Sequence, residues 1–294
     1  MRIIRPSVLL PRMLASSLWL AAATVASAAT FTVVNTNSSG GGSLAQAITD
    51  ANASAGADTI TFAITNLSNT IRPTNALPTI TETATIDGRT QTGFSSAPIV
   101  EVNGASAGAA VDGLKIATSN CVISALVINS FLGDGIEITN GVNNTVEGCY
   151  LGLNLAGTVD TGNTLNGVLL TNASSNIIGG IGATNRNFIS GNNSMGVQIG
   201  GASATNNSIL GNVIGLGVTN AAVANSVDGI RVAAPFNTIG GTVGSARNII
   251  SGNTSDGIEI GVLGTNTIVK GNWIGTDLNG ALDRGNTADG VFVN

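Results

Sequence analysis

The 294-residue sequence predicts an all-β fold, a right-handed parallel β-helix with a short helix capping its N-terminal end. Three observations predict it. First, an Asp/Asn-Gly phrase followed by apolar, variable and apolar residues returns at Asp112-Gly113, Asp134-Gly135, Asn166-Gly167, Asp228-Gly229, Asp256-Gly257 and Asp289-Gly290, with Met195-Gly196 as a variant. Its glycines are 22, 32, 29, 33, 28 and 33 residues apart, and a period of this size is the mark of a solenoid. Second, each repeat holds three short alternating apolar stretches, such as Gly257-Ile258-Glu259-Ile260, Thr267-Ile268-Val269 and Trp273-Ile274-Gly275, with Gly/Asn-rich turns between them. None is long enough for a helix, and parallel crossovers are almost always right-handed. Third, asparagines recur in columns, Asn120, Asn144, Asn176, Asn207, Asn237 and Asn266 before the second strand and Asn187, Asn212, Asn248 and Asn272 before the third. Stacked amides of this kind are expected to be structural, because asparagine tolerates turn backbone and bonds along a stack.

Along the chain, residues 1–28 read as a signal peptide. Arg2, Arg5 and Arg12 precede an apolar run from Leu14 to Ala26, and Ala26-Ser27-Ala28 supplies the small residues of a cleavage site. The run is too short to span a bilayer. Residues 29–110 are expected to hold the cap and the first coils. Strands are expected over residues 30–35 and 58–64, and an amphipathic helix from Ser43 to Ala53 would bury Leu44, Ala47, Ile48 and Ala51, with Ser43 and Gln46 as a capping box. The regular repeats occupy residues 111–294. The phrase Asp289-Gly290-Val291-Phe292-Val293 begins a new coil and the sequence stops one residue later at Asn294, so continuation into a longer chain is expected.

Within the opening strand the residues after glycine and two further on are apolar in every copy, Leu114/Ile116 through Val291/Val293, and should point inward. Between them stand Lys115, Glu137, Leu169, Gln198, Arg231, Glu259 and Phe292, facing out, with Lys115 over Glu137 and Arg231 over Glu259 as charge-matched neighbours worth about 0.2–1 kcal/mol each. A second periodicity pairs the coils: Asn176-Ile177-Ile178-Gly179-Gly180 matches Asn237-Thr238-Ile239-Gly240-Gly241 at a distance of 61 residues, so longer loops should fall on every second coil. Cys121 and Cys149 are the only cysteines. Their spacing leaves both a bond and two inert buried thiols open.

The N-terminal segment resembles a family of exported bacterial parallel β-helix repeat proteins whose signature reads Cys-Ser-Leu-Arg-Glu-Ala-Ile. Gly42-Ser43-Leu44-Ala45-Gln46-Ala47-Ile48 keeps the Ser, Leu, Ala and Ile, and Asp50-Ala51-Asn52, Ala57-Asp58-Thr59-Ile60-Thr61-Phe62, Leu77-Pro78-Thr79-Ile80, Thr85-Ile86-Asp87-Gly88 and the Gly-Asn-x-Ile-Gly repeats are similar too. The resemblance implies a secreted or surface protein. It brings no agreed catalytic residues.

Composition narrows the chemistry. Without the leader arginines, 8 basic residues face 16 acidic ones, a net charge of −8, which argues against nucleic acid and against anionic membrane surfaces. There is no histidine, the commonest general acid/base and metal ligand. Carboxylates remain: Asp134/Glu137, Asp256/Glu259 and stacked Asp228/Asp256/Asp289 could reach glycosidase distances, since coils repeat at about 4.8 Å. Arg231 beside Asp228, Asp256 and Glu259 is the one constellation suggesting a lyase. An Asp before every Gly is nevertheless better explained as a turn former. Thr79, Thr81, Thr83 and Thr85 alternate as in an ice-binding strand, but the later repeats show no matching columns. Tyr150 and Trp273 share one strand position, as ordinary packing would have it. The sequence thus singles out no catalytic, cofactor-binding or metal-binding residue and predicts no cofactor. It predicts a structural, adhesive or interaction role toward polysaccharide or another cell-surface ligand, with a polysaccharide lyase or glycosidase of the β-helix class as the alternative.

Overall fold

The computed structural model describes Met1, residues 27–66 and residues 68–294. The expected leader run, Leu14 to Ala26, lies outside the described residues. The described chain winds through three parallel sheets. Sheet 1 has nine strands, from Thr30–Val33 to Ile268–Val269; sheet 2 has eight, from Thr70–Ile71 to Trp273–Ile274; sheet 3 has seven, from Leu114–Ile116 to Val291–Val293. From residue 114 onward the path is sheet 3, sheet 1, sheet 2 and back, once per coil. This is a parallel β-helix, right-handed as crossover connections require.

Each sheet contributes stacked aliphatic residues to the interior. In sheet 1, Ile60, Ile86, Ile123, Val146, Ile178, Ile209 and Ile239 are in register and fully buried. Sheet 3 supplies the expected pairs, and every inward residue from Leu114 to Ile258 is at most 1 % exposed. The last pair departs from this: Val291 is 42 % and Val293 66 % exposed, because they have a neighbouring coil on one side only. The outward neighbours Lys115 and Glu137, and Arg231 and Glu259, stand in register as expected.

The helix Leu44–Ala53 packs against the strands Thr30–Val33 and Asp58–Phe62. Its buried face is Leu44, Ala47, Ile48 and Ala51. Half of the expected capping box forms. Ser43 Oγ accepts the Gln46 N–H, but the Gln46 side chain turns forward to Asp50 Oδ1 at 2.8 Å, since the Ser43 N–H is already bonded to the Gly40 carbonyl.

Asparagine ladders line all three corners of the coil. At the corner from sheet 3 to sheet 1, Asn144, Asn176, Asn207 and Asn237 are fully buried and linked coil to coil, with Asn176 Nδ2 donating to Asn207 Oδ1 at 2.9 Å and Asn207 Nδ2 to Asn237 Oδ1 at 3.0 Å. Asn120 and Asn266 do not belong to it. They stand one position earlier, in the left-handed turn that every coil makes here: Asn120, Asn143, Ser175, Asn206, Phe236 and Asn266 all have φ between 57° and 61°. The ladder position of the outer coils is taken by Cys121 and Thr267. Asn187, Asn212, Asn248 and Asn272 form the second ladder between sheets 1 and 2. The third, Asn163, Asn192, Asn225, Asn253 and Asn286 between sheets 2 and 3, was not anticipated as a column.

These ladders also place the cysteines. The Cys121 N–H donates to Asn144 Oδ1 and the Cys149 N–H to Asn187 Oδ1, both at 2.8 Å, so each cysteine starts a ladder at a different corner. Both thiols are free and buried, and burial pushes their pKa up, for Cys149 to about 12. They are inert hydrophobes at neutral pH.

Phe236 is the misfit in the turn column, a bulky residue in left-handed backbone with its side chain exposed. Phe236→Asn is expected to stabilise the protein by about 0.5–1 kcal/mol by relieving that backbone. A thermal melt that rises by a few degrees would bear this out, and an unchanged or lower melt would refute it.

Longer loops do fall on every second coil. Residues 154–160, 217–222 and 277–283 leave sheet 2 and fold back over it, closed by the bridges Leu153↔Asp160, Leu216↔Ala222 and Thr276↔Asp283. Beneath them lie Tyr150, Phe188, Val213, Ile249 and Trp273, which are in register. Leu153, Val218 and Val223 pack on the Tyr150 end and Leu216 and Leu278 on the Trp273 end. Tyr150 and Phe188 meet edge to face with centroids 5.4 Å apart, and the Arg247 guanidinium sits 4.1 Å from the Trp273 ring centre. The aromatic residues are therefore packing, as expected. The outer surface of sheet 2 is covered, while those of sheets 1 and 3 are not roofed by these loops.

Candidate functional site

The Asp-Gly phrase puts carboxylates in a row along one edge of sheet 3, and the structure shows what most of them do. Asp112 Oδ1 accepts the Asp134 N–H at 2.8 Å, and Asp134 Oδ1 accepts both the N–H and the side-chain amide of Asn166 at 2.8 Å. Further along, Asp228 Oδ1 accepts the Asp256 N–H and Asp256 Oδ1 the Asp289 N–H. The carboxylates thus couple one coil to the next, which corrects their reading as formers of local turns. The glycine beside each is also explained by stacking, not by left-handed backbone. A Cβ on Gly135 would stand 2.6 Å from the Gly167 carbonyl oxygen, and one on Gly229 2.6 Å from that of Gly257.

Two constellations of the same design stand on the outer face of sheet 3. The first joins Asp112 and Lys115 of one coil to Asp134 and Glu137 of the next; the second joins Asp228 and Arg231 to Asp256 and Glu259. Lys115 Nζ donates to Glu137 Oε2 at 2.5 Å, and Thr139 Oγ1 donates to Glu137 Oε1 at 2.6 Å. Arg231 Nε lies 3.1 Å from Glu259 Oε2, without the alignment of a hydrogen bond. In both, the paired carboxyls are not those suggested by spacing within one coil. Asp112 meets Glu137, and Asp228 meets Glu259, because the Asp of one coil leans toward the Glu of the next.

The electrostatics separate the first pair. Burial, together with the hydrogen-bonded Glu137 and the nearby Asp134 charge, pushes the Asp112 carboxyl up to about 6, against the opposing backbone hydrogen bond from Asp134. Burial also works against the Glu137 anion, but hydrogen bonds from Lys115, Thr139 and the Asp112 carboxyl outweigh it and hold Glu137 below the ordinary range. Below about pH 6 Asp112 therefore holds a proton beside Glu137, which stays the anion. Asp112 and Lys115 line a surface pocket of about 210 Å³ with Ala76, Leu77, Thr79, Ala110 and Val111. In the second constellation burial and Asp228 raise Glu259, and Arg231 only partly offsets them.

Such a pair can give and take a proton. Among the described residues no group of three or more His, Cys, Asp or Glu side chains could hold a metal ion.

The raised Asp112 pKa has a definite sign in stability. Its contribution is fully present below the ordinary 3.8 and is lost as the pH rises through about 6. Melting curves of wild type and Asp112→Asn are expected to diverge over that window, the wild type losing stability relative to the variant as pH rises. Solvent screening holds the effect to about 1 kcal/mol, so parallel curves would remove the shared proton from the account.

Sheet 1 presents a different face. Its first outward position runs in register through Thr30, Thr59, Thr85, Val122, Thr145, Ile177, Ser208, Thr238 and Ile268. The sequence reading sought a threonine row within residues 79–85. That segment instead turns a corner, with Ile80 bridged to Ile116 in sheet 3 and strand Ala84–Asp87 in sheet 1. Across coils the position is mixed, threonine or serine at six of its nine places and Val122, Ile177 and Ile268 at the others. Beside it, at the corner with sheet 2, two adjoining hollows of about 380 and 390 Å³ share the exposed Ile181.

No family model matches the chain. No curated protein matches it in sequence. Among solved structures, the A-module of the mannuronan C-5 epimerase AlgE6 of Azotobacter vinelandii is similar, with a TM-score of 0.43 and 15 % identity over 76 % of this chain and 71 % of that one. A likeness at that level extends to neither site nor substrate, and the assignment to the parallel β-helix class stands on the three sheets and their registers. No described helix is long and apolar enough to cross a membrane.

Proposed function

We propose that this chain is an exported, non-catalytic β-helix scaffold, secreted or held at the cell surface, that binds a neutral polysaccharide along sheet 1. The observation that carries the reading is the uncharged row from Thr30 to Ile268, six hydroxyl-bearing residues with Val122, Ile177 and Ile268 among them, spaced one coil apart. A regular chain of sugar rings offers hydroxyls and apolar ring faces in repetition, and such a row can meet both without paying for a buried charge. The net charge of −8 left after the leader disfavours an acidic glycan. Supporting the absence of catalysis, the Asp-Gly carboxylates are engaged in bonds between coils and Lys115 and Arg231 lie against Glu137 and Glu259.

One observation favours the second reading, a polysaccharide-modifying enzyme: the proton shared by Asp112 and Glu137 beside a pocket. A single experiment separates the two. The purified protein is incubated with neutral and acidic polysaccharides in the presence of calcium, and both retention and products are measured. Retention on a neutral glycan without new reducing ends or unsaturated products, lowered at least about tenfold by Thr145→Lys, is the expected result. Turnover abolished by Asp112→Asn would establish the enzyme reading in its place.

A further inference from the structure

We propose that the Ala28–Ala29 peptide bond is a processing site and that the α-ammonium it releases on Ala29 completes a buried ion pair with Asp58. The inference rests on the export reading but concerns a different part of the molecule. Asp58 opens the strand Asp58–Phe62 and is 1 % exposed. Its Oδ1 accepts the Ala29 N–H at 2.7 Å and, at 3.4 Å, the Ser54 hydroxyl. Its Oδ2 is buried with no hydrogen-bond partner among the described residues. The ion pairs among the described residues all involve other carboxylates. A fully buried aspartate without a cation is rare, since removing the charge from water is costly unless it is paired.

The atom already nearest to Asp58 is the one that processing would charge. Hydrolysis adds water across the Ala28–Ala29 bond: hydroxyl goes to the Ala28 carbonyl carbon, hydrogen to the Ala29 nitrogen, and the new carboxylic proton passes to the amine. A secretory endopeptidase that reads small residues at Ala26 and Ala28 is the catalyst the sequence suits. One amide N–H then becomes an ammonium with three donors and a full charge, enough to engage both Asp58 oxygens. Little has to move. The Ala29 carbonyl is already held by the Thr59 N–H at 2.8 Å, while Ser27 and Ala28 are exposed to a protease. Strand Thr30–Val33 is the end strand of sheet 1, so the pair would pin it only after the leader has gone.

The test begins with the full-length chain expressed with export, and mass spectrometry of the released protein identifies its first residue. Ala29 is expected; any other first residue overturns the processing site, and a chain that is not exported at all overturns the export reading as well. The Ala29-first protein is then compared with one engineered to retain Ser27 and Ala28. The processed form is expected to melt higher by at least about 3 °C, and its amine to be acylated about tenfold more slowly than in Asp58→Asn, the change that one unit of amine pKa produces. Equal melting of the two wild-type forms overturns the ion pair while leaving export intact. That comparison needs no substitution, so it decides even where Asp58→Asn does not fold.

Discussion

Replacing Asn207 by alanine is expected to destabilise the protein by about 3–5 kcal/mol, among the largest effects any polar residue here should show. Asn207 is fully buried in the middle of its ladder. Its Oδ1 accepts the N–H and the side-chain amide of Asn176, each at 2.9 Å, and its Nδ2 donates to the Ala173 carbonyl at 2.9 Å and to Asn237 Oδ1 at 3.0 Å. Alanine removes all four bonds and leaves two donors of Asn176 and the Ala173 oxygen without partners, each costing about 1–3 kcal/mol before relaxation. Aspartate should do no better, because its oxygen would face Asn237 Oδ1. Chemical denaturation is the measurement, with Ser208→Ala as the comparison. Ser208 points outward from the next position and should change stability by no more than about 0.5 kcal/mol. Equal effects at 207 and 208 would mean that the ladder contributes no net stability.

Gly196→Ala should be comparably damaging, by about 3 kcal/mol or more, for a reason of pure geometry. A Cβ there would stand 2.6 Å from the Gly229 carbonyl oxygen, 2.7 Å from Ile214 Cγ2 and 2.9 Å from Asn225 Nδ2. No rotamer change relieves a contact between a Cβ and a backbone oxygen. The coils must separate, stretching the bonds from Gly196 N–H to the Asp228 carbonyl and from Val197 N–H to that of Gly229, both 3.0 Å. Gly200 in the same strand is the internal control, since a Cβ there meets nothing within 4 Å. Gly200→Ala is expected to be neutral or stabilising by up to about 1 kcal/mol. Because each coil contacts only its neighbours, a lesion at Gly196 should also split unfolding into two blocks. A single sharp transition at the wild-type midpoint would contradict the steric account.

These two residues show how unevenly the structure can be read from the chain. The inward pairs and the capped helix follow from local pattern, because alternation and helical spacing are set within a few residues, and the pairing of Lys115 with Glu137 follows from the position both hold in the repeated phrase. The Asn207 ladder is legible as a column in the middle of the chain, where neighbouring copies match, and fails at its ends. There Asn120 and Asn266 imitate the motif one position early, and the true ladder positions hold Cys121 and Thr267. The third ladder carries a plain signal in the chain: Asn163, Asn192, Asn225, Asn253 and Asn286 each stand four residues before a glycine of the phrase, at its own intervals of 29, 33, 28 and 33 residues, but they open no strand and so fall outside a pattern read from strand starts.

The candidate sites were less visible still. Asp112 sits 25 positions before Glu137 and seemed paired with nothing, whereas the carboxylates suggested by spacing, Asp134 with Glu137, share a coil but not a proton. The row on sheet 1 joins residues as different as Thr30 and Ile268, which no motif would group. Sequence alone determined that this chain coils and which residues fill its interior. Tertiary structure alone decided which residues meet across coils away from the phrase and the central ladder, because the loops between strands vary in length from coil to coil, so equal positions in space lie at unequal distances along the chain. Stacking makes the contacts of Asp58 with Ala29, of Gly196 with Gly229 and of Asp112 with Asp134, and only the register of the stack discloses them.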